Sequence, residues 1–174
     1  MEYMESNIGP PVNTYHSTND RWNYYYHLPH DNDWSISGYK LIMSDINCIE
    51  QVNSLTSAIN ENIVRSCMLF IMRHNVLPIW EDPFNKNGGC FSYKISNKYV
   101  YNVWNELFKL LCGESLSDTE YIKHINGITI SPKKNFCVIK IWLDTIEYQD
   151  PTIITNILNL NTEGCIFKKH EPES

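Results

Sequence analysis

The residues with the clearest potential for chemistry lie in one segment, residues 80–89 (WEDPFNKNGG), where a tryptophan and two acids precede a Gly-Gly turn. A loop of this kind presents its side chains outward. An exposed indole attracts a flat, positively charged heterocycle, and a neighbouring carboxylate accepts hydrogen bonds from the N–H groups of that ring. Guanine carries such donors at N1 and N2. The segment also permits a second interpretation, in which Trp80 fills the core and the acids are solvated, because tryptophans are buried on average.

Seven segments have the composition of strands that could position such a loop. They are rich in aromatic and β-branched residues and are bounded by polar, Gly-containing or Pro-containing stretches. These predicted strands are residues 20–27, 39–43, 66–73, 89–95, 125–130, 136–144 and 165–169. The turn between the fifth and sixth strands exposes Lys133 and Lys134.

Three helices are predicted from apolar residues that recur about every 3.6 positions. The first covers residues 46–63, with Asn47 as its N-cap and one buried face. The second covers residues 100–111, and Gly113 stands where a C-terminal cap would. The third covers residues 150–158, with an aspartate as N-cap and a proline in its first turn. Because strands and helices intermingle without a repeat or a regular βαβ order, we expect an α+β fold.

The composition predicts one domain. The chain has 174 residues and a mass of 20.4 kDa, with 43% hydrophobic and 20% charged residues, which suffices for one core. We assign this domain to residues 15–170, between a flexible arm over residues 1–14 and a tail over residues 171–174. The net charge of -6 argues against a general nucleic-acid-binding surface, so any anionic ligand must be held locally.

Neither a membrane nor a secretory location is indicated. The longest apolar runs, residues 68–72 and 136–142, fall far short of the roughly 20 residues that a membrane span requires. Residues 1–11 lack the basic start and the apolar core of a secretion signal. A cytoplasmic location is therefore expected.

No pattern indicates catalysis, a metal or a cofactor. The six cysteines include no CxxC pair, so we expect reduced and mostly buried thiols. Residues 27–33 (HLPHDND) combine histidines with acids, but a polar loop is a more typical role for them than a metal site. A nucleophile elbow and a Gly-rich phosphate loop are both missing.

Residues 80–89 resemble the signature of the eukaryotic translation initiation factor 4E family, the mRNA cap-binding proteins. Further family motifs follow in the same order along residues 15–170. They are Arg21-Trp22, Trp34, Gly113-Glu114-Ser115 and Ile141-Trp142. The resemblance implies a strongly curved antiparallel sheet of about eight strands, backed on its convex face by three helices. The 7-methylguanosine cap would then occupy a pocket on the concave face.

The resemblance also implies roles for individual residues. Trp34 and Trp80 would stack on the two faces of the methylated base, and Glu81 would accept hydrogen bonds from guanine N1 and N2. Trp142 and His170 would lie near the N7 methyl group. Methylation at N7 makes the base positive, so a cation–π contribution adds to base–aromatic stacking of about 1–3 kcal/mol per base.

The phosphate-binding residues match the family less closely. The position of a family arginine falls on Lys133, with Lys134 beside it, and the family arginine after the Gly-Gly turn is Cys90 here. Lys168 and Lys169 near the end of the chain could compensate. Lysine lacks the bidentate fork of arginine, which implies a looser grip on the triphosphate. In the plainer interpretation, Lys133 and Lys134 belong to a solvated turn.

The expected partner surface on the convex helices is also divergent. Family members bind a helical motif of a translation scaffold protein there. Counting from Ile49, Asn53 replaces a family tryptophan, and Asn105 and Lys109 replace apolar residues. His16 is what remains of a His-Pro-Leu entry motif. Because apolar anchors dominate such interfaces, we expect weak binding or no binding of the usual scaffold motif, although a different partner could use this surface.

The resulting prediction is a noncatalytic cap-binding protein of translation initiation, with capped mRNA as its partner. Two alternatives remain, a repressor that sequesters the cap and an interaction module that has lost cap binding. A decapping type of enzyme is not expected, since a Glu-rich metal-binding helix is missing. Tyr24, Tyr25 and Tyr26 could stack on further nucleotides, although strand tyrosines are more often core or rim residues. The many Asn, Ile and Tyr residues suggest an AT-rich genome, such as that of a protist or a large DNA virus.

Overall fold

The chain forms seven strands in the computed structural model, which describes residues 15–172. The predicted arm and the last two residues of the predicted tail lie outside the described residues. The strands are β1 (Ser17–His27), β2 (Tyr39–Cys48), β3 (Met68–Arg73), β4 (Gly89–Ser96), β5 (Ile125–Pro132), β6 (Phe136–Leu143) and β7 (Ile166–Lys169). The helices are α1 (Ile49–Ala58), α2 (Glu61–Ser66), α3 (Val100–Cys112) and α4 (Thr119–Ile122).

All seven strands belong to one antiparallel sheet in the order β2-β1-β3-β5-β6-β4-β7. The predicted α+β class and the curved antiparallel sheet are confirmed, with seven strands in residues 15–172 where about eight were expected. Each predicted strand overlaps an observed one. The two edges of the sheet are β2 and β7.

One face of the sheet packs against α3. The predicted apolar stripe of this helix is buried, and the indole Nε1 of Trp104 donates a hydrogen bond of 2.9 Å to the hydroxyl of Tyr24. Tyr24 is therefore a core residue and is not available to stack on nucleotides. Tyr25 is buried as well, in a smaller cluster that includes Phe70 and Trp142. The helix ends at the predicted position, where the Gly113 N–H donates to Lys109 O.

Two of the predicted helices differ from the observed ones. The predicted helix over residues 46–63 begins within β2, where Ile46 is buried opposite Trp22, and continues as two separate helices, α1 and α2. Asn60 starts α2 by accepting a hydrogen bond from Ile63 N. Asn47 therefore lies in β2 and is not an N-cap.

The third predicted helix is wrong as well. Asp150 does accept a hydrogen bond from Thr152 N, but only a single 3-10 turn follows, over Pro151–Ile153. Ile154 then pairs with Ser117 in an isolated bridge, and the segment buries Ile154 and Ile157 without a helix. Apolar residues at helical spacing are thus buried here by an irregular segment that packs on the core.

Arg73 contacts residues from two of the motifs found in the sequence, Trp22 and Glu114. Its guanidinium lies 4.6 Å from the ring centroid of Trp22 and forms ion pairs with Asp20 at 2.7 Å and Glu114 at 2.9 Å. It also donates to two backbone carbonyls near β5. The Arg-Trp and Gly-Glu-Ser motifs therefore hold the fold together around one half-buried cation.

The remaining features concern thiols and membranes. All six cysteines are free, and Cys48, Cys90, Cys112 and Cys137 are buried, in line with the prediction. Among residues 15–172, no helix is long and apolar enough to cross a membrane.

Candidate functional site

A cavity of about 970 Å³ opens on the face of the sheet opposite α3. Five segments that are distant in sequence contribute to its wall. The lining includes Trp34, Ser35 and Tyr39 after β1, Phe70 on β3, Trp80 and Glu81 before β4, Lys133 after β5, and Lys140 and Trp142 on β6. Thus the fold brings Trp34, Trp80, Glu81, Trp142 and Lys133 into one cavity.

The loop before β4 is held by its second acid. Asp82 is buried, and its carboxylate accepts hydrogen bonds of 2.9 Å from Leu77 N and 2.8 Å from Phe84 N. Glu81 is exposed and lines the cavity, and no described residue gives it a hydrogen bond or an ion pair. These adjacent carboxylates therefore have different environments, one structural and one open to a ligand.

An amide network fixes the rest of this loop. The Nδ2 of Asn85 donates to Leu77 O and Ile79 O, and the Nδ2 of Asn126 donates to the side-chain oxygen of Asn85. The Gly-Gly turn is needed for close approach, since a Cβ on Gly88 would stand 1.8 Å from a backbone oxygen of β6. Trp80 and Glu81 are thus presented by a rigid loop.

His170 lies behind two of the tryptophans. Its ring is nearly parallel to that of Trp80, with centroids 5.9 Å apart, and lies 4.8 Å from the ring of Trp142. Its Nδ1 lies 2.8 Å from Asn85 O. Burial lowers the pKa of His170, which favours a neutral ring whose Nδ1–H donates to that carbonyl. His170 is therefore placed beside Trp142, while only the tryptophan lines the cavity.

Trp34 is held in place by a residue to which the sequence assigned no role in the site. The ring of His27 is fully buried and stacks on the indole of Trp34, with centroids 4.3 Å apart and planes 2° from parallel. The two nitrogens of His27 lie 3.0 Å from Leu28 O and 2.8 Å from Asp33 O. Trp34 is 52% exposed and Trp80 is 37% exposed, so neither indole fills the core.

Tyr39 is a second lining residue that the sequence did not reveal. Burial, together with the negative charge of Glu81, raises its pKa to about 12. The phenol is therefore protonated at neutral pH. Its ring packs edge-on against His27 and Phe70, with centroids 5.0 Å away in both cases. An aromatic residue at the start of a predicted strand carries no signal that it will face a cavity.

The five lysines near the cavity differ in position. Lys133 lines it, whereas Lys134, Lys168 and Lys169 are exposed residues outside its lining. Lys140, which the sequence did not single out, lines the cavity on β6. Its position could have been found from alternation, since it stands two residues before Trp142 on the same strand.

Cys90 stands where the family has an arginine, and it is buried on the same face of the sheet as Trp142, with which it pairs. Burial raises the pKa of its thiol, while the charges of Lys140 and Lys168 oppose that rise. Both lysines thus lie within electrostatic range of this position. Lys168 also pairs with Cys90 across β4 and β7, so the place where an arginine was expected has a lysine as its strand neighbour.

The predicted partner surface lies on the other side of the molecule. Asn53 and Lys109 are exposed on α1 and α3, and Ile49 and Asn105 are half-buried there. His16 is exposed, and its Nδ1 lies 2.7 Å from a carboxylate oxygen of Glu50. The helices α1 and α3 pack against each other, so these residues belong to one helical layer.

The described residues offer no alternative metal centre. No group of three or more His, Cys, Asp or Glu side chains within residues 15–172 is arranged to hold a metal ion. Within the segment 27–33, His27 instead stacks on Trp34, and His30 is exposed.

An antiparallel sheet with helices on one face and a tryptophan-lined cavity on the other is the architecture of cap-binding translation factors. The crystal structure of Schistosome eIF4E complexed with m7GpppG and 4E-BP has a TM-score of 0.69 and 25% identity, covering 77% of this chain and 75% of that one. A complex of C. elegans eIF4E-3 with Mextli and cap analog has a TM-score of 0.67 and 22% identity, covering 76% of each chain.

The chain belongs to the Eukaryotic initiation factor 4E family, whose model matches residues 17–173. The resemblance seen in the sequence is thereby confirmed. The eukaryotic translation initiation factor 4E homolog of Acanthamoeba polyphaga mimivirus is 47% identical over 62 residues, 35% of this chain and 23% of that protein. The Eremothecium gossypii factor is 25% identical over 138 residues, 76% of this chain and 64% of that protein. The matches thus span less than two thirds of either relative.

Proposed function

We propose that this protein binds the 7-methylguanosine cap of mRNA, with the methylated base between Trp34 and Trp80. Glu81 accepts hydrogen bonds from guanine N1 and N2. The observation that carries the proposal is that one cavity collects two exposed indoles and an unpaired carboxylate. Membership of the family and the cap complexes of its structural neighbours support the same assignment.

The chemistry of the cavity matches a cationic base. Each stacking contact contributes about 1–3 kcal/mol, and the positive charge adds about 0.5–2 kcal/mol of cation–π attraction. Trp142, whose Nε1 donates to the hydroxyl of Thr129, presents an apolar ring toward the N7 methyl group, with His170 behind it. Neutral guanine lacks the cation–π contribution and binds more weakly.

For the phosphates, we propose a lysine-based site. Lys133 at the cavity wall contacts the phosphates, and Lys134, Lys168 and Lys169 supply positive charge around it. Ammonium groups attract phosphate without the directed fork of arginine. The site therefore depends on charge more than on geometry, and its affinity for the triphosphate falls steeply with added salt.

The test is a tryptophan-fluorescence titration of the full chain with 7-methyl-GTP and with GTP. We expect strong quenching by the methylated nucleotide and little by GTP. Glu81→Gln should weaken 7-methyl-GTP binding. Glu120→Gln should not, because it removes an exposed acid of α4 that is not part of the cavity lining. Equal quenching by both nucleotides, or none by either, would refute the proposal. Recovery of intact 7-methyl-GTP after incubation would agree with a noncatalytic role.

In translation, we propose a factor that acts on capped mRNA in the cytoplasm with a divergent scaffold surface. The polar residues Asn53, Asn105 and Lys109 replace the apolar anchors that a scaffold helix requires, and loss of one such anchor costs about 2 kcal/mol or more. His16 and Ile49 complete this surface. Submicromolar binding of a scaffold-derived helical peptide in calorimetry would contradict this proposal.

The same polar surface favours a second candidate, a repressor that sequesters the cap without recruiting a scaffold. Adding the protein to a lysate that translates capped and uncapped reporters separates the two. An initiation factor raises capped output and captures a scaffold protein, whereas a repressor lowers capped output only.

A further inference from the structure

Lys140 places a cation beside the proposed base site. Its Nζ stands 5.8 Å from the ring centroid of Trp80, within the range of a cation–π contact, and the residue lines the same cavity. It is half-buried in the middle of β6, between Ser92 on β4 and Thr129 on β5. Alternation along the strand places it on the same face as Trp142.

Among residues 15–172, the ammonium group of Lys140 has no ion-pair or hydrogen-bond partner. A half-buried cation with three free donors in a ligand cavity favours an anionic group of the ligand. The anion adjacent to a base stacked on Trp80 would be the first phosphate of the nucleotide.

A cation in this position acts on the base as well as on the phosphate. The base proposed for this cavity carries a positive charge, so an unneutralised ammonium beside Trp80 repels it. Two unit charges roughly 6 Å apart change the affinity about threefold even at the dielectric constant of water, and by more in a partly closed cavity. Once a phosphate neutralises the ammonium, this repulsion is removed.

We propose that Lys140 makes recognition of the cationic base conditional on the attached phosphate, an inference that rests on the proposed function. It opposes binding of the free 7-methylated nucleoside and favours binding of the 7-methylated nucleotide. The residue is thus a specificity determinant that selects an mRNA end, or a nucleotide derived from it, over a methylated nucleoside of the same base.

The test is calorimetry of the wild type and Lys140→Gln with 7-methylguanosine, 7-methyl-GTP and GTP. The variant should bind 7-methyl-GTP about tenfold more weakly, which is the loss expected for one charge-assisted hydrogen bond. It should bind 7-methylguanosine about threefold more tightly. The two ligands therefore respond in opposite directions, which a loss of folding cannot produce, and a control variant that removes a lysine outside the cavity measures the effect of a general loss of positive charge.

Lys94→Gln is the matched control. Lys94 on β4 pairs with Val138 on β6 and therefore projects from the same face of the sheet as Lys140. It lies outside the cavity lining, with its Nζ 4.3 Å from the ring centroid of Phe136. This variant removes the same charge and should shift all three affinities by less than about twofold.

The outcomes are distinguishable. If the wild type does not bind 7-methyl-GTP, the proposed function fails and the role of Lys140 fails with it. If the wild type binds but Lys140→Gln changes both 7-methylated ligands in the same direction, or changes neither, the proposed function stands and the role of Lys140 is refuted.

Discussion

Two adjacent acids, Glu81 and Asp82, should give opposite results when each is replaced by its amide. Asp82 is buried and accepts backbone hydrogen bonds from Leu77 and Phe84, whereas Glu81 is exposed in the cavity wall. The amide in Asp82→Asn can accept only one of those two bonds. A buried N–H without its acceptor costs about 1–3 kcal/mol.

For a domain of this size, that loss lowers the thermal midpoint by about 2–4 °C per kcal/mol. Glu81→Gln leaves the fold within about 0.5 kcal/mol of the wild type, because it changes a solvated side chain. Its effect falls on the ligand, where the loss of a charge-assisted hydrogen bond of about 1.5–3 kcal/mol weakens binding by about one to two orders of magnitude.

The assay pairs urea unfolding with 7-methyl-GTP titration at a temperature where both variants are folded. We expect Glu81→Gln to lose affinity at unchanged stability. Asp82→Asn should lose stability first and affinity only as far as its loop shifts. Equal destabilisation by the two variants, or full retention of affinity in Glu81→Gln, would show that the assigned roles are wrong.

Three further predictions concern the support of the site and of the sheet. His27→Ala removes the ring stacked on Trp34, so 7-methyl-GTP affinity should fall several-fold, while His27→Phe should retain most of it in the same titration. Arg73→Leu leaves Asp20 and Glu114 without their cation and should lower the free energy of unfolding by about 3–5 kcal/mol in urea. Partial burial opposes ionisation of Asp20, but the hydrogen bonds from Arg73 and Arg21 outweigh it and lower the pKa of this carboxyl. Its stabilising contribution is therefore complete near neutral pH and is lost as the pH falls below about 4, and acid unfolding of Arg73→Leu should show a shallower dependence on pH in that range.

The strands and α3 could be predicted from the sequence because their signals are local. Stretches rich in aromatic and β-branched residues, and an apolar stripe at helical spacing, identify these elements without knowledge of their partners. The predicted helix over residues 46–63 failed because Ile46 is also compatible with a strand, and pairing with Trp22 on β1 decided for the strand. The predicted helix over residues 150–158 failed because burial of isoleucines against the core does not require a helix.

In the candidate site, too, some residues could be predicted from the sequence and others could not. The loop of residues 80–89 was recognisable from its composition, and it does carry Trp80 and Glu81 to the cavity. His27, Tyr39 and Lys140 were missed, because whether a side chain faces the cavity depends on strand pairing and on the distant residues packed beside it.

By itself, the sequence determined the family, the α+β class, the loop that carries Trp80 and Glu81, and a single domain with a net charge of -6. Only the tertiary structure decided that Asp82 supports the loop while Glu81 faces the ligand space, and that Lys140 stands beside Trp80. The physical reason is that residue type and spacing act over a few neighbours in the chain. Burial, partners and electrostatic environment are set by contacts between segments tens of residues apart.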